Sequence, residues 1–307
     1  MTSKTILFGG SGFLGPIILE KYPDITSVGR TKLPPYIKNK HTPLSNLDDL
    51  SVLDSLDFDK VIFLIGSSNH HRINARPMMG FEYNVLPLKK ILYYLQKRNI
   101  KKLIFFSTVL LYDVTKMQNP VDETQSVNPY VNEYVFSKYI SEEVAKFHKK
   151  VPTIAVRFSN IYGPTKLIRP DLVPMLIQKA LSPAKDIVLW NTKPVRDFLY
   201  LDDAALAVVK LLDTDYTGPV NMGSGQSVSV GRIAEIIGEL SGKPVRDLGK
   251  PVSGPMHFTN DISLLAKLTG WRATTSIEEG IRLTYERMRT WADECRWWEQ
   301  PDFKEFS

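Results

Sequence analysis

Residues 9–15 read Gly-Gly-Ser-Gly-Phe-Leu-Gly and follow directly on the apolar run Thr5–Phe8. Glycines 9, 12 and 15 thus fall between a strand pattern and the helical pattern Pro16–Tyr22, which leaves few folds open. Glycines at this spacing permit a tight turn, a close approach of backbone to a pyrophosphate, and close packing of helix on strand. The free N–H groups and dipole of the helix start then favour phosphate. A turn of this kind can also be a plain strand-to-helix connection with no ligand. Its strand–helix setting is the context that marks a dinucleotide site, with Gly9, Ser11, Gly12, Phe13, Leu14 and Gly15 as contacts.

The rest of the first half keeps that pattern. Ile25–Val28, Val61–Ile65, Lys102–Phe106 and Thr153–Arg157 read as strands, and Asn84–Arg98 and Asn132–Lys149 as helices. Strands separated by helical crossovers predict an α/β fold, a Rossmann-like doubly wound parallel sheet with helices on both faces. The unbroken apolar run Val61-Ile62-Phe63-Leu64-Ile65 fits the buried middle of such a sheet. Beyond Arg157 the texture changes. Gly163-Pro164, Arg169-Pro170, Ser182-Pro183, Gly218-Pro219, Lys243-Pro244 and Gly254-Pro255 punctuate shorter elements, as in a loop-rich second unit. We expect residues 1–158 to form the dinucleotide-binding domain, joined by a segment within 186–222. Residues 159–307 would form a smaller C-terminal α/β substrate domain.

Composition narrows the function classes. The chain has 307 residues, 43% apolar and 23% charged, ordinary globular usage that excludes disorder and coiled coil. No apolar run reaches the ~18 residues of a membrane span, and Thr5–Phe8 is too short for a secretory signal. The single cysteine, Cys295, excludes a disulfide framework and a multi-cysteine metal site, so a reducing cytoplasm is expected. A net charge of +6 with scattered lysines argues against nucleic acid and for an anionic small molecule.

Two features carry chemistry. At the end of the second strand an acidic residue would take the adenosine ribose; here stands Val28-Gly29-Arg30-Thr31-Lys32. An Arg at that point accommodates a 2′-phosphate, which favours NADP over NAD, although a solvated basic loop is the plainer reading. The fourth strand runs on to Phe105-Phe106-Ser107-Thr108, and the helix after it carries Tyr134 and Lys138. Positions i and i+4 share a helix face. A neighbouring cation is expected to lower the phenol pKa and make Tyr134 a general acid/base.

With these motifs on view, the sequence resembles the extended short-chain dehydrogenase/reductase family, in the branch that modifies nucleotide-activated sugars. The resemblance covers nearly the whole chain. It rests on the Gly9–Gly15 turn, Asn84-Val85, Ser107-Thr108 with Tyr112, Tyr134 with Lys138, and Arg157–Pro164. Further on it includes Arg196-Asp197-Phe198 before Leu201-Asp202-Asp203, Asn221–Gly225 and Thr269-Gly270-Trp271. The resemblance implies a cleft between an NAD(P) domain and a nucleotide-sugar domain, and helices Asn84–Arg98 and Asn132–Lys149 pairing in a homodimer. Leu88, Leu92, Leu95 and Phe136 would supply the apolar dimer face. It implies that Thr108 bonds the oxygen at C4, Tyr134 moves its proton, and Lys138 holds the nicotinamide ribose. Cofactor contacts would extend to Arg30, Lys32, Asn46, Leu47, Ile65, Gly66, Asn84, Ser107 and Phe158. Asn69, His70, Asn160 and His257 would touch the sugar nucleotide, Leu172 and Val173 its base, and Arg196 its diphosphate. Arg157, at a strand end, reads as a structural brace.

Departures from the family pattern narrow the reaction. Val109 and Leu110 stand where 4,6-dehydratases carry Asp and Glu, so elimination of water and decarboxylation are unsupported. A Cys after the hydroxyl, used by 3,5-epimerising relatives, is absent. A second diphosphate Arg would fall near Pro251, leaving Lys250 or His257 as substitutes. The expected activity is NADPH-dependent reduction of a 4-keto (6-deoxy) sugar nucleotide. The alternatives are a 4-epimerase holding NAD and a non-catalytic scaffold. Adjacent His70 and His71 cannot both enter one site, and no metal is expected. Trp291, Trp297 and Trp298 are expected to pack against the body or a subunit interface.

Overall fold

The computed structural model describes residues 4–306 except 170 and 253. Pro170, named in the sequence reading, lies outside the described residues. Twelve strands are described. They are β1 (Thr5–Phe8), β2 (Thr26–Gly29), β3 (His41–Pro43), β4 (Lys60–Phe63), β5 (Lys102–Thr108) and β6 (Thr153–Phe158). Then come β7 (Asn160–Tyr162), β8 (Ile187–Leu189), β9 (Val195–Tyr200), β10 (Gly218–Met222), β11 (Ser227–Ser229) and β12 (Val245–Asp247).

Seven strands form one parallel sheet in the order β10-β6-β5-β4-β1-β2-β3. Strand alternation explains its two cores. Leu7, Ile62 and Ile104 face one side, with Ile18 and Leu19 of the helix Gly15–Lys21 and Ala204, Ala205 and Val208 of Leu201–Leu211. Ile6, Phe8, Val61, Phe63, Leu103 and Phe105 face the other, under Leu88, Ile91, Leu92 and Leu95 of the helix Leu86–Leu95. Strand β3 escaped the sequence reading because three residues give no periodicity. Strand β10 comes from beyond residue 159 and completes the sheet edge.

The burial of Leu88, Leu92 and Leu95 corrects the expected dimer face, because these three point into the sheet core. The outward apolar residues of the same region are Tyr83, Leu86 and Tyr93. The helical segment also begins earlier than Asn84, at Met78, and passes through a π-turn at Phe81–Val85. A third core gathers the helices Leu172–Leu181, Val230–Ser241 and Ile277–Arg289. They pack beside the three-stranded sheet β11-β9-β7 and the pair β12-β8. Trp297 is fully buried there, with Trp291 and Trp298 packed against it. The tail tryptophans are therefore packing residues of the body.

Candidate active site

The strand order reverses at β1, whose neighbours are β2 and β4. In doubly wound sheets the ligand crevice lies there, beyond the carboxyl ends of the strands. The glycine turn sits at that point. Gly9 has φ +85° and Gly12 donates to its carbonyl at 3.1 Å. A Cβ on Gly15 would lie 2.6 Å from the Gly9 carbonyl oxygen and 2.7 Å from Gly10 Cα, so only glycine lets the helix start this close. Ser11 and Gly12 are exposed at the rim, while the Leu14 side chain belongs to the core and leaves only its backbone for a ligand. Arg30 and Lys32 are exposed just past β2, with no ion-pair partner among the described residues.

Thr108, Tyr134 and Lys138 converge next to this crevice. Thr108 ends β5; its hydroxyl accepts the Leu110 N–H at 3.2 Å and lies beside the Tyr134 phenol. Tyr134 and Lys138 lie on the helix Glu133–Phe147, capped by Asn132, whose side chain accepts from Val135 N–H at 3.0 Å. Burial pushes the Tyr134 phenol up to about 12 and the Lys138 ammonium down to about 8. The expected lowering of the phenol pKa is therefore overturned. Lys138 Nζ is 5.8 Å from the Tyr134 ring centroid and donates instead to the Phe106 carbonyl at 3.0 Å, so desolvation dominates.

Lys138 also tests the site for a dinucleotide. Its ammonium is buried, has no carboxylate partner among the described residues, and spends one of three donors on Phe106. A small cavity beside it is lined by Ile65, Asn84, Phe106 and Ser141. Gly66 lies alongside, where a Cβ would be 3.7 Å from Lys138 Nζ and 3.0 Å from Asn84 Oδ1. Spare buried donors beside an exposed glycine turn fit a ribose-bearing cofactor.

Several side chains expected at the cofactor or the sugar nucleotide also brace the fold. Asn84 Oδ1 accepts from Ser67 N–H at 2.8 Å and its Nδ2 donates to Ser137 Oγ at 3.0 Å, tying the loop after β4 to the Tyr134 helix. Ser107 donates inward to Glu142 at 2.5 Å, and Glu142 takes two bonds from Arg157 at 3.0 and 2.8 Å. Arg157 is thus a brace, as expected. The Phe158 ring is buried edge-on against Phe106 at 4.6 Å. Asn69 caps the helix His70–Ala75 by accepting from Arg72 N–H at 3.0 Å, which spends that oxygen locally. Asn46 accepts from two following backbone N–H groups, and Leu47 packs half-buried on the core. Val173 is fully buried in the third core with Leu172 packed against it, so the Val173 side chain does not line an open base pocket.

Of the two histidines, His70 turns toward the site. Its ring centroid is 6.3 Å from that of Tyr134, while His71 is exposed and its ring lies tilted against it, centroids 4.1 Å apart. Burial and then His71 lower the His70 pKa, against the pull of Asp171. In the second half, Asn160 Nδ2 donates to the Asp197 carbonyl at 3.0 Å. Arg196 is half-buried on β9, donates to its neighbour's carbonyl at 2.9 Å, and has no carboxylate partner among the described residues. His257 Nε2 is held by Ser227 and Thr259 hydroxyls, each at 3.1 Å. Neither Arg196 nor His257 contacts Tyr134 among the described residues.

Two features were missed in the sequence. Trp190 is 60% exposed, with Lys250 Nζ 5.1 Å from its ring centroid. Arg169 lies 4.0 Å from the Phe13 ring centroid and donates to Asp171 at 2.5 Å and to Ser68 at 3.2 Å. An exposed Trp six residues before Arg196 was a usable signal. Nothing local marked Arg169, because Phe13 and Ser68 are distant from it in sequence.

The crevice, the glycine turn and the Thr108–Tyr134–Lys138 group define an α/β enzyme of the short-chain dehydrogenase/reductase type. The family model for the NAD dependent epimerase/dehydratase family matches residues 5–231, and the chain belongs to that family. A putative UDP-glucose 4-epimerase of Methanocaldococcus jannaschii is 25% identical over 302 residues, 92% of this chain and 98% of that protein. GDP-L-fucose synthase 1 of Arabidopsis thaliana is 27% identical over 309 residues, 93% of each chain. The crystal structure of a UDP-glucose 4-epimerase with UDP-glucose from Thermotoga maritima has the same fold. Its TM-score is 0.82 at 20% identity, covering 93% of this chain and 98% of that one.

Proposed function

We propose that this enzyme reduces the C4 ketone of a nucleotide-linked sugar using NADPH. The reading is carried by the convergence of Thr108, Tyr134 and Lys138 beside a crevice whose neighbouring segment, Val109-Leu110, holds no acid or base. Tyr134, its pKa pushed up to about 12, keeps its proton at neutral pH and is the acid for the C4 oxygen. The Thr108 hydroxyl holds that same oxygen and stabilises the developing charge. The Lys138 ammonium binds the ribose with its two spare donors and offsets the phenolate left behind. The nicotinamide, when bound, supplies the hydride. Arg196, a half-buried guanidinium with no carboxylate partner among the described residues, suits the sugar's diphosphate. Trp190 with Lys250 offers a flat cationic platform for the base.

Residues 1–158 with β10 would serve the cofactor, and 159–307 the sugar nucleotide. A single cysteine suits a cytoplasmic setting, and among the described residues no helix is long and apolar enough to cross a membrane. Tyr83, Leu86 and Tyr93 supply an outward apolar face for a homodimer.

NADPH is favoured because Arg30 stands exposed, with no ion-pair partner among the described residues, where an acid would bind ribose. Titration should show tighter NADPH than NADH, with Arg30→Ala narrowing the gap. Equal binding of NADH in the wild type removes that preference. The likeness to the M. jannaschii protein over nearly its whole length keeps a 4-epimerase as the second reading. Supplying a nucleotide-linked 4-keto-6-deoxy sugar with NADPH separates the two. Loss of nicotinamide absorbance supports reduction; interconversion of C4 epimers without NADPH consumption selects the epimerase.

A further inference from the structure

We infer that Arg169 is a latch for the pyrophosphate of the bound dinucleotide, delivered across the crevice from the second half of the chain. The inference rests on the dinucleotide-binding reading above. Arg169 belongs to the connection between β7 and the helix Leu172–Leu181, yet its guanidinium carbon lies 4.0 Å from the Phe13 ring centroid in the glycine turn. Its Nη2 donates to Ser68 Oγ at 3.2 Å, in the loop after β4. These two loops leave the carboxyl ends of adjacent parallel strands, β1 and β4, and enclose the crevice where a dinucleotide crosses the sheet. The guanidinium therefore spans the mouth of that crevice.

Its chemistry matches the ligand. A guanidinium presents five donors in a planar fork suited to phosphate. Two are engaged, by Asp171 at 2.5 Å and by Ser68, and Nη1 has no partner among the described residues. Stacking on Phe13 orients the plane of the fork beside the turn. The strand of chain that carries it is tethered from behind. Trp297 Nε1 donates to the Lys166 carbonyl at 3.1 Å, Lys166 pairs with Glu294 at 2.6 Å, and Gln178 donates to the Leu167 carbonyl at 3.2 Å. A cation held this way arrives pre-positioned, which lowers the ordering cost of binding. It also couples retention of the dinucleotide to the position of the C-terminal core.

The test compares ADP-ribose, which keeps the pyrophosphate, with AMP, which lacks it. Arg169→Gln should weaken ADP-ribose and NADPH by about tenfold or more, the scale of a lost charge-assisted hydrogen bond. AMP affinity should change less than about twofold, the salt dependence of ADP-ribose binding should flatten, and Arg169→Lys should recover part of the loss. Thermal melting of ligand-free Arg169→Gln checks its fold. Should that variant not fold, Phe13→Leu removes the ring beneath the guanidinium and must weaken ADP-ribose in the same selective way. Unchanged ADP-ribose affinity, an equal loss for AMP, or tighter binding in Arg169→Gln overturns the latch, the last by making the strap an obstruction. A wild-type protein that binds neither NADPH nor NADH sinks the dinucleotide reading itself, a failure distinct from a variant that binds as well as wild type.

Discussion

Replacing Tyr134 with phenylalanine isolates one proton. The ring is 6% exposed and sits among Ile73, Leu111 and Val135, so a phenyl ring keeps that packing. The phenol oxygen makes no hydrogen bond among the described residues, where Tyr134 bonds only through its backbone, so its removal should cost at most about 1 kcal/mol of stability. Fold and cofactor binding should therefore survive. The chemistry should not: a positioned proton donor contributes ~10²–10⁴-fold, which corresponds to roughly 2.7–5.4 kcal/mol of barrier. The assay is NADPH oxidation with a nucleotide-linked 4-keto sugar at saturating substrate. Turnover should fall by that factor with KM little changed, because the interaction is made only in the transition state. Arg196→Ala is the contrasting control, raising KM as uniform binding is lost. Full turnover in Tyr134→Phe would refute the proton-transfer role.

The pH profile tests Lys138. Burial holds its pKa near 8, against about 10.4 in the unfolded chain. Between these values the unfolded state binds more protons, so this group's contribution to stability rises with pH. Turnover should decline around pH 8 as the folded-state ammonium loses its charge; a rate still climbing past pH 9 contradicts that assignment. Glu142→Gln leaves Arg157 buried without its carboxylate, so urea denaturation should show a loss of about 3–5 kcal/mol, and an unchanged midpoint would be decisive against it. Sedimentation should find a wild-type dimer and a monomer for Leu86→Glu combined with Tyr93→Glu. A wild-type monomer at micromolar concentration ends the dimer proposal.

Local features were legible in the chain alone. The glycine turn, the unbroken apolar strands and the Tyr134–Lys138 spacing depend on contacts between near neighbours, and backbone geometry forces them wherever they occur. The parallel sheet and the meeting of Thr108, Tyr134 and Lys138 follow from these. Tertiary structure alone settled which side of each element faced what. Leu88, Leu92 and Leu95 share a helix with Leu86 and Tyr93, yet only the sheet beneath decides which face is core and which is surface. The direction of the Tyr134 pKa shift was also invisible. The i, i+4 lysine predicts a lowered phenol, while burial, supplied by the packed fold, reverses it. Arg169 is the clearest case. Its meeting with Phe13 and Ser68 joins residues far apart in sequence, and no periodicity records a contact made only when distant loops converge at the ends of neighbouring parallel strands.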